Sequence, residues 1–360
     1  MGLNAARVMV ASLLCAAVAS GTALGSPSPA SAHVVASASA ATASAVNDVR
    51  VGSFNVSGVN NDKKAGGDRE VWRVRRPVVA GQILSRRLDV VGLQEANQST
   101  IYGANVDYGP NQFLDLVGQL NHDGGHWAVT NQSPYNCVRA NSSQRCDYQY
   151  RGASGDNRIV YNTDTMLLVR QGSYLYQSQT PGKNPRYLAW AVLQSRASGQ
   201  QFLFTDTHLD PYTVSVRAAE WSEMVAQINS LKGSLPVISV GDLNTSKWAP
   251  YAGSYLTEMK AAGFGDVVNQ QAGKTGLAAP RALVLRRAWV NSFNGFDRNV
   301  RNYSYDDFRS RIGNGIDWVF ASNQLYVKKW EVVVNMTAGL QLRGVIPSDH
   351  NLVWANVVVG

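Results

Sequence analysis

Ten short apolar runs, several of them ending in a polar cluster, constrain this chain more than any other feature. They are Val49–Val56, Val90–Leu93, Arg158–Tyr161, Thr165–Val169, Leu188–Gln194, Gln201–Thr207, Pro236–Val240, Gly315–Ala321, Val327–Val334 and Asn351–Val358. Runs of this length, rich in β-branched residues, read as strands buried on both faces. Between them lie stretches with helical spacing: Arg69–Arg87 with a weak point at Pro77, Asn111–Leu120, Val214–Leu231 and Tyr251–Ala262. In Val214–Leu231 the apolar residues Val214, Ala218, Trp221, Val225, Ile228 and Leu231 recur three and four apart, which predicts one buried helix face. Strands interleaved with helices give an α/β protein. The short strands, with hairpin-like pairs over Arg158–Val169 and Leu188–Thr207, argue for mixed sheets rather than one parallel sheet.

Before the first run the chain reads as an address. Arg7 is the only charged residue ahead of Asp48. An apolar stretch, Val8–Ala19, is too short to span a bilayer, and Ala30-Ser31-Ala32 offers a small-residue cleavage site. Residues 1–32 are therefore expected to be a signal peptide, and the mature protein to be secreted without a membrane span. Residues 33–47 are rich in Ala and Ser and read as a flexible lead-in. With no repeat and no second linker, residues 48–360 read as a single domain, expected to be a monomer.

Charge and cysteine usage narrow the setting. The net charge of +8 falls to +7 once the leader, with its single Arg, is removed. A basic balance favours polyanionic partners, nucleic acid first among them, although many secreted proteins are simply basic. Cys137 and Cys146 remain in the mature chain, inside a polar stretch. In an oxidising compartment they are expected to form a loop-closing disulfide. A zinc site is disfavoured, because no further Cys or His pair stands at metal spacing.

The polar clusters carry the chemistry. Asn55 follows the first run, Gln94-Glu95 the second, and Thr207-His208 completes Gln201–Asp206. Gly241-Asp242-Leu243-Asn244 follows Pro236–Val240, Asp317 lies in Gly315–Ala321, and Ser348-Asp349-His350 precedes the last run. Singly, each has a plain structural reading as a turn residue, a cap or a hydrogen-bonded strand end. Together they place carboxylates, Asn and His at the ends of rigid strands, where a site is built. Such an oxygen-rich donor set suits Mg²⁺ or Mn²⁺, with Ca²⁺ also able to use it, and it can serve phosphoester hydrolysis.

The strings Ser53-Phe54-Asn55-Val56, Gly92-Leu93-Gln94-Glu95, Thr205-Asp206-Thr207-His208-Leu209, Val240-Gly241-Asp242-Leu243-Asn244, Ile316-Asp317-Trp318-Val319-Phe320 and Ser348-Asp349-His350 resemble, in order, those of the endonuclease/exonuclease/phosphatase superfamily, which includes DNase I. The resemblance spans residues 49–358. It implies a DNase I-like four-layer α/β (α+β) sandwich of two mixed β-sheets flanked by helices. It also implies that Glu95 is the main metal ligand, helped by Asn55 and Asp349. Asp242 and Asn244 would orient water or phosphate. His350, oriented by Asp317, would contact the phosphate or act as base. His208 would stabilise a phosphoryl oxygen or protonate the leaving group. One departure is that DNase I-like members carry an Arg just before the strand matching Arg158–Tyr161, where this chain has Asp156-Asn157.

The substrate is less specified. The stretch Gly265–Arg311 interleaves Arg, including Arg298 and Arg301, with aromatic residues, which suits a phosphate backbone and exposed bases. It reads equally as a long loop with core aromatics and solvated Arg. Arg158, Arg298 and Arg301 are the candidate substrate contacts. A secreted endonuclease acting on DNA, or on RNA, is the first expectation. A phosphatase or a sphingomyelinase-like phospholipid phosphodiesterase is the second, since Ser292-Phe293-Asn294-Gly295-Phe296 resembles small bacterial members of the superfamily. A non-catalytic binding module is disfavoured by the intact polar set.

Overall fold

The computed structural model describes residues 47–62, 67–98, 101, 110–131, 154–268, 282–304 and 312–359. The expected leader, the Ala/Ser segment up to residue 46, and Cys137 with Cys146 lie outside the described residues.

Alternation along the strands builds the layers. In β1 (Asp48–Asn55) Val49 and Val51 point into the space between two sheets, whereas Phe54 packs outward beneath helices. In β7 (Gln201–His208) Phe202 and Phe204 point inward and Leu203 outward. In β11 (Asp317–Ser322) Val319 and Ala321 face in, while Trp318 and Phe320 face out. Side chains of period two with both faces apolar can be satisfied only between two other layers. The outer layers are helices. Trp72, Val79 and Ile83 of α1 (Trp72–Ser85) and Phe113, Leu116 and Leu120 of α2 (Gln112–His122) cover the first sheet. Trp221, Met224 and Ile228 of α3 (Val214–Lys232) and Tyr255 and Met259 of α4 (Ala252–Ala261) cover the second. The four layers are those the sequence predicts.

The first sheet has seven strands among the described residues, in the order β10 (Val284–Arg286), β12 (Tyr326–Val332), β13 (Val353–Val358), β1, β2 (Val90–Gln94), β4 (Arg158–Asn162), β3 (Trp127–Val129). The second has six: β5 (Met166–Leu175), β6 (Tyr187–Ser195), β7, β8 (Val237–Asp242), β11, β9 (Phe264–Asp266). The expected hairpin over Leu188–Thr207 forms as β6–β7. The expected hairpin over Arg158–Val169 does not: β4 lies in the first sheet and β5 in the second. The turn at 163–165 hands the chain from one sheet to the other. A turn within one sheet and a crossing between sheets leave the same local pattern, a short polar gap between two apolar runs. Pro77 does not divide α1, which runs through it from Trp72 to Ser85.

Two parallel pairings decide where the polar strand ends go. β1 pairs in parallel with β2, so Asn55 stands opposite Gln94. β7 pairs in parallel with β8, so His208 stands opposite Asp242. β11 runs antiparallel to β8 and sets Asp317 opposite Asp242. Parallel strands bring their C-terminal ends to one edge, and the antiparallel neighbours add residues that precede a strand. The sheets can close tightly there because Gly92 lacks a side chain: a Cβ would sit 2.5 Å from Val240 and 2.6 Å from the Asp206 carboxylate.

Arg75 of α1 locks this edge. It is fully buried, and its guanidinium donates to the carbonyls of Val56, Ser57 and Pro347 at 2.8, 3.0 and 2.9 Å. It also reaches Asp62 at 3.1 Å and the Glu70 carbonyl at 2.8 Å. The loop after β1 and the loop before β13 thus share one cation. Arg75→Met should take this donor from the carbonyls of Val56, Ser57 and Pro347, leaving Ser57 only Gln112 Nε2, and should leave Asp62 without its cation. A loss of roughly 3–5 kcal/mol in unfolding free energy is expected, read by urea denaturation.

Candidate active site

The pocket lies at this edge, with a volume of about 690 Å³. Glu95, His208, Asp242, Asn244, Asp349 and His350 line it. Asn55 and Asp317 stand directly behind that lining, each touching a residue that faces the pocket. All eight residues expected from the strand ends are therefore brought together.

Their contacts form a connected network. Asn55 Nδ2 donates to Asp242 Oδ2 at 3.0 Å and meets Glu95 Oε1 at 3.3 Å. Glu95 Oε2 accepts from the Gly58 amide at 3.1 Å and from Asn61 Nδ2 at 2.9 Å. Asp242 Oδ1 accepts from the Asn244 amide at 3.0 Å, and Asn244 Nδ2 is tied to the Leu209 carbonyl at 2.9 Å. Asp242 Oδ2 lies 3.5 Å from His208 Nε2 and 3.6 Å from His350 Nε2. His350 Nδ1 is 2.9 Å from Asp317 Oδ2. Glu95 and Asn244 both adopt positive φ, +54° and +44°, a conformation that non-glycine residues hold only where surroundings impose it.

The string Ser292–Phe296 proves to be a latch beneath His350. Ser292 Oγ accepts from the amides of Ile316 and Asp317, and the Ser292 carbonyl accepts from the Asn351 amide. Asn294 and Gly295 donate their amides to the Asp349 carbonyl at 2.7 and 3.0 Å. Phe293, 45% exposed, packs edge-on against the His350 ring with centroids 5.0 Å apart. Two residues that the sequence presents as separate motifs, Asp317 and His350, are thus held in register by a third.

Burial and charge set the protonation states. Burial alone would lower the His350 pKa, but Asp317 and then Asp242 outweigh it and hold the imidazole protonated, raised to about 10. Burial pushes Asp242 up; His350 opposes this and Asp317 adds to it. Burial, with Arg186 and His350 adding positive charge, drops His208 well below the ordinary histidine range. The site therefore holds one charged and one neutral imidazole on either side of one carboxylate. Coupled groups so close titrate as a unit.

Asp242, Asp317 and His350 form a group that could hold a metal ion, with one ligand atom from each within 4.8 Å of the others. A protonated imidazole is not a ligand, so His350 would have to lose its proton first. Glu95 and Asp349 add carboxylate oxygens to the same pocket. Asp317 Oδ1 is buried without a hydrogen-bond partner. The donor chemistry at this edge fits a hard divalent cation.

The candidate substrate contacts fall elsewhere. Arg158 is buried beside the pocket, not in its lining; its guanidinium donates to the Ser154 hydroxyl and to the Gly155 and Asn157 carbonyls, over the Phe113 ring. Arg298 is bound to Asp68 and to the Leu342 and Gly344 carbonyls. Arg301 lies in the short turn 300–302, and neither Arg298 nor Arg301 lines the pocket. Arg158 thus serves its own loop, and Arg298 ties its loop to Asp68 and to the segment 342–344. The pocket instead recruits Asn61, Asp156, Arg186, Tyr212 and Phe293, which the strand-end pattern does not mark because they lie outside the strands, and Tyr187, which opens β6 rather than ending it.

The model of the Endonuclease/Exonuclease/phosphatase family matches residues 52–350. Among solved structures, an endonuclease/exonuclease/phosphatase family protein from Bacteroides thetaiotaomicron is 20% identical, with a TM-score of 0.61 over 87% of this chain and 98% of its own. A mannosyl-6-phosphatase from the same species is 21% identical, with a TM-score of 0.60 over 86% and 99%. The catalytic domain of human Nocturnin, solved with a bound sulfate anion, is 16% identical, with a TM-score of 0.52 over 88% and 96%. At these identities the likeness is one of fold. No curated protein gives a match.

Asp317→Asn tests the electrostatics directly. Losing the nearest carboxylate should lower the His350 pKa, seen as an earlier proton release when its ring signal is followed by NMR. A raised folded-state histidine pKa stabilises the fold fully below the unfolded value near 6.5, and that stabilisation is lost as pH climbs through about 10. The melting-temperature deficit of Asp317→Asn should therefore be largest at pH 6 and shrink toward pH 10.

Proposed function

The chain belongs to the endonuclease/exonuclease/phosphatase family, whose members are phosphoester hydrolases, and on that premise we propose that it is itself a divalent-metal-dependent one. The observation that carries this reading is the Asp317–His350–Asp242–His208 row, closed by Asn55 and Asn244 and standing beside Glu95.

Glu95, with Asn55 and Asp349, would hold the ion, in keeping with the family's general need for a divalent metal. When bound, the metal supplies Lewis-acid neutralisation of a phosphoryl oxygen. The chain's own residues do the rest. Asp242, fixed by the Asn55 side chain and the Asn244 amide, orients a water and accepts its proton as the new P–O bond forms. His350 keeps its proton at Nε2 and donates to a phosphoryl oxygen as negative charge builds there; the charge Asp317 induces on it makes it a donor rather than a base. Neutral His208 hydrogen-bonds the departing oxygen as the ester bond breaks; that oxygen takes a proton from solvent water, and the hydroxide so formed is neutralised by the proton held on Asp242. Such preorganised donors act through electrostatics and positioning, which dominate phosphoryl transfer.

The finer substrate we propose is a nucleic-acid phosphodiester, DNA before RNA. The net charge of +8 supports it, as do Tyr212 and Phe293, exposed aromatic rings in the pocket lining on which bases can stack. A second reading, a small phosphomonoester, is favoured by the lining itself: among the described residues Arg186 is its single Arg or Lys. The apolar stretch Val8–Ala19 with Ala30-Ser31-Ala32 supports export, and N-terminal sequencing of protein recovered from culture medium should read Ala/Ser-rich chain after residue 32.

Purified protein should be offered plasmid DNA, RNA, sphingomyelin and a phosphomonoester, with Mg²⁺ and with EDTA. DNA breakdown in Mg²⁺ but not in EDTA is the expected result. Hydrolysis of lipid or monoester alone would sink the nuclease reading and leave the hydrolase reading standing. Glu95→Ala and His350→Ala should each lower the rate by about a hundredfold or more. Activity that survives both substitutions would overturn the site assignment.

A further inference from the structure

Most half-buried or buried guanidiniums near the pocket are committed to a loop. Arg75 serves the loops before and after it, Arg158 the carbonyls at 155 and 157, and Arg217 the Asp210 carbonyl and the Tyr251 hydroxyl. Arg186 breaks this pattern. It lines the pocket, yet among the described residues its guanidinium donates no hydrogen bond and joins no ion pair; the buried Nε without an acceptor it shares with Arg158 and Arg217, but those two donate through their other nitrogens.

The backbone that carries Arg186 is nonetheless firmly held. The Arg186 amide donates to Gln179 Oε1 at 2.9 Å, and Gln179 Nε2 donates to the Arg186 and Tyr176 carbonyls. One glutamine thereby closes the loop between β5 and β6. A fixed backbone with an uncommitted planar fork is what recognition of an oxyanion requires. Its surroundings add to this. Lys183, from the same loop, rests its ammonium 4.4 Å over the Tyr212 ring, and Tyr212, 60% exposed, lines the pocket with Arg186. The lining thus sets one guanidinium, Arg186, among the carboxylates of Glu95, Asp156 and Asp349, with its charge felt by Asp156 and by His208. A volume of about 690 Å³ is far more than one phosphoryl group fills, and falls in the range that encloses a whole small molecule.

We propose that Arg186, with Lys183 and Tyr212 beside it, forms a subsite for a second phosphate of the substrate, next to the phosphoryl group that is hydrolysed. The inference rests on the phosphoester-hydrolase reading and sharpens it: the preferred substrate carries a further phosphate that is retained. That phosphate can be the neighbouring link of a single strand or a second phosphate on a small molecule; both offer the same dispersed oxyanion to the guanidinium fork.

Two substrate pairs separate these sources and test the subsite. One is a dinucleotide with and without a 5′-phosphate; the other is a sugar bisphosphate and its monophosphate. The wild-type enzyme should prefer the more phosphorylated member of at least one pair by about tenfold in kcat/KM, and the pair that shows it names the source. Arg186→Gln should erase the preference through KM, with kcat within about threefold, and leave the less phosphorylated member within about twofold. Arg186→Lys should restore part of it, because a point charge replaces the fork. Equal loss on both members of a pair would assign Arg186 to the reacting phosphoryl group and overturn the proposal, as would no loss on either. Binding gives an answer independent of turnover. By calorimetry without metal, pyrophosphate should bind wild-type protein more tightly than phosphate, and Arg186→Gln should remove that difference. If none of the four substrates is hydrolysed while this binding difference holds, the hydrolase reading fails and the anion subsite stands; if the difference is absent from the wild type, the subsite fails. An unchanged melting temperature for Arg186→Gln confirms that the variant is folded.

Discussion

The active edge depends on one buried guanidinium. Arg75 joins the Val56–Ser57 turn, which follows Asn55, to Pro347, which precedes Ser348-Asp349-His350. The Ser348 hydroxyl completes the join by donating to the Asn55 carbonyl at 2.7 Å. These loops lie 291 positions apart in sequence, between Val56 and Pro347, so no local propensity could bring them together. A buried cation with several carbonyl acceptors and one carboxylate is costly to remove and hard to satisfy in another way, which makes it a strong determinant of arrangement even if its net stabilisation is modest. Asn55, Glu95 and Asp349 inherit their relative positions from it.

With the loops fixed, charge compensation decides what each side chain can do. Asp242 and Asp317 are both buried, and two carboxylates so placed could not both ionise without a cation. His350 sits between them as that cation, while burial, with Arg186 and then His350 adding positive charge, keeps His208 neutral. The proton inventory follows from the packing: a donor at His350, an acceptor at Asp242 and an uncharged ring at His208. Asn55 links this row to Glu95, so the buried Asp–His row and the Glu95 carboxylate share one amide.

Much of this was legible in the sequence, and for a physical reason. A strand buried on both faces is mostly apolar, so a polar residue at its end stands out; Asn55, Glu95, His208, Asp242 and Asp317 are visible for that reason, although β7 also buries Thr205, Asp206 and Thr207. The order of strands within each sheet is less legible. β4 and β5 look like a hairpin because a turn within one sheet and a crossing between two sheets leave the same short polar gap. Arg158, Arg298 and Arg301 illustrate the limit for single residues: a loop arginine reads the same whether it serves a substrate or a carbonyl of its own loop. Arg158 and Arg298 prove to serve carbonyls. The three-residue strands β3, β9 and β10 lack a pattern long enough to show a period.

Arg186 turns that limit around. Its sequence context, Asn184-Pro185-Arg186-Tyr187, carries no more signal than that of Arg158. What distinguishes it is its place among the donors in three dimensions: Arg186 lines the pocket and its guanidinium makes no hydrogen bond or ion pair among the described residues, while those of Arg75, Arg158 and Arg217 donate to carbonyls. Buried donors left unpaired cost about 1–3 kcal/mol each, so such a group is retained where another partner completes it. The strand ends define a reaction that is common to many substrates, whereas the loops above them hold the uncommitted groups. Specificity in this fold is therefore to be sought in the loop donors that the protein itself does not use.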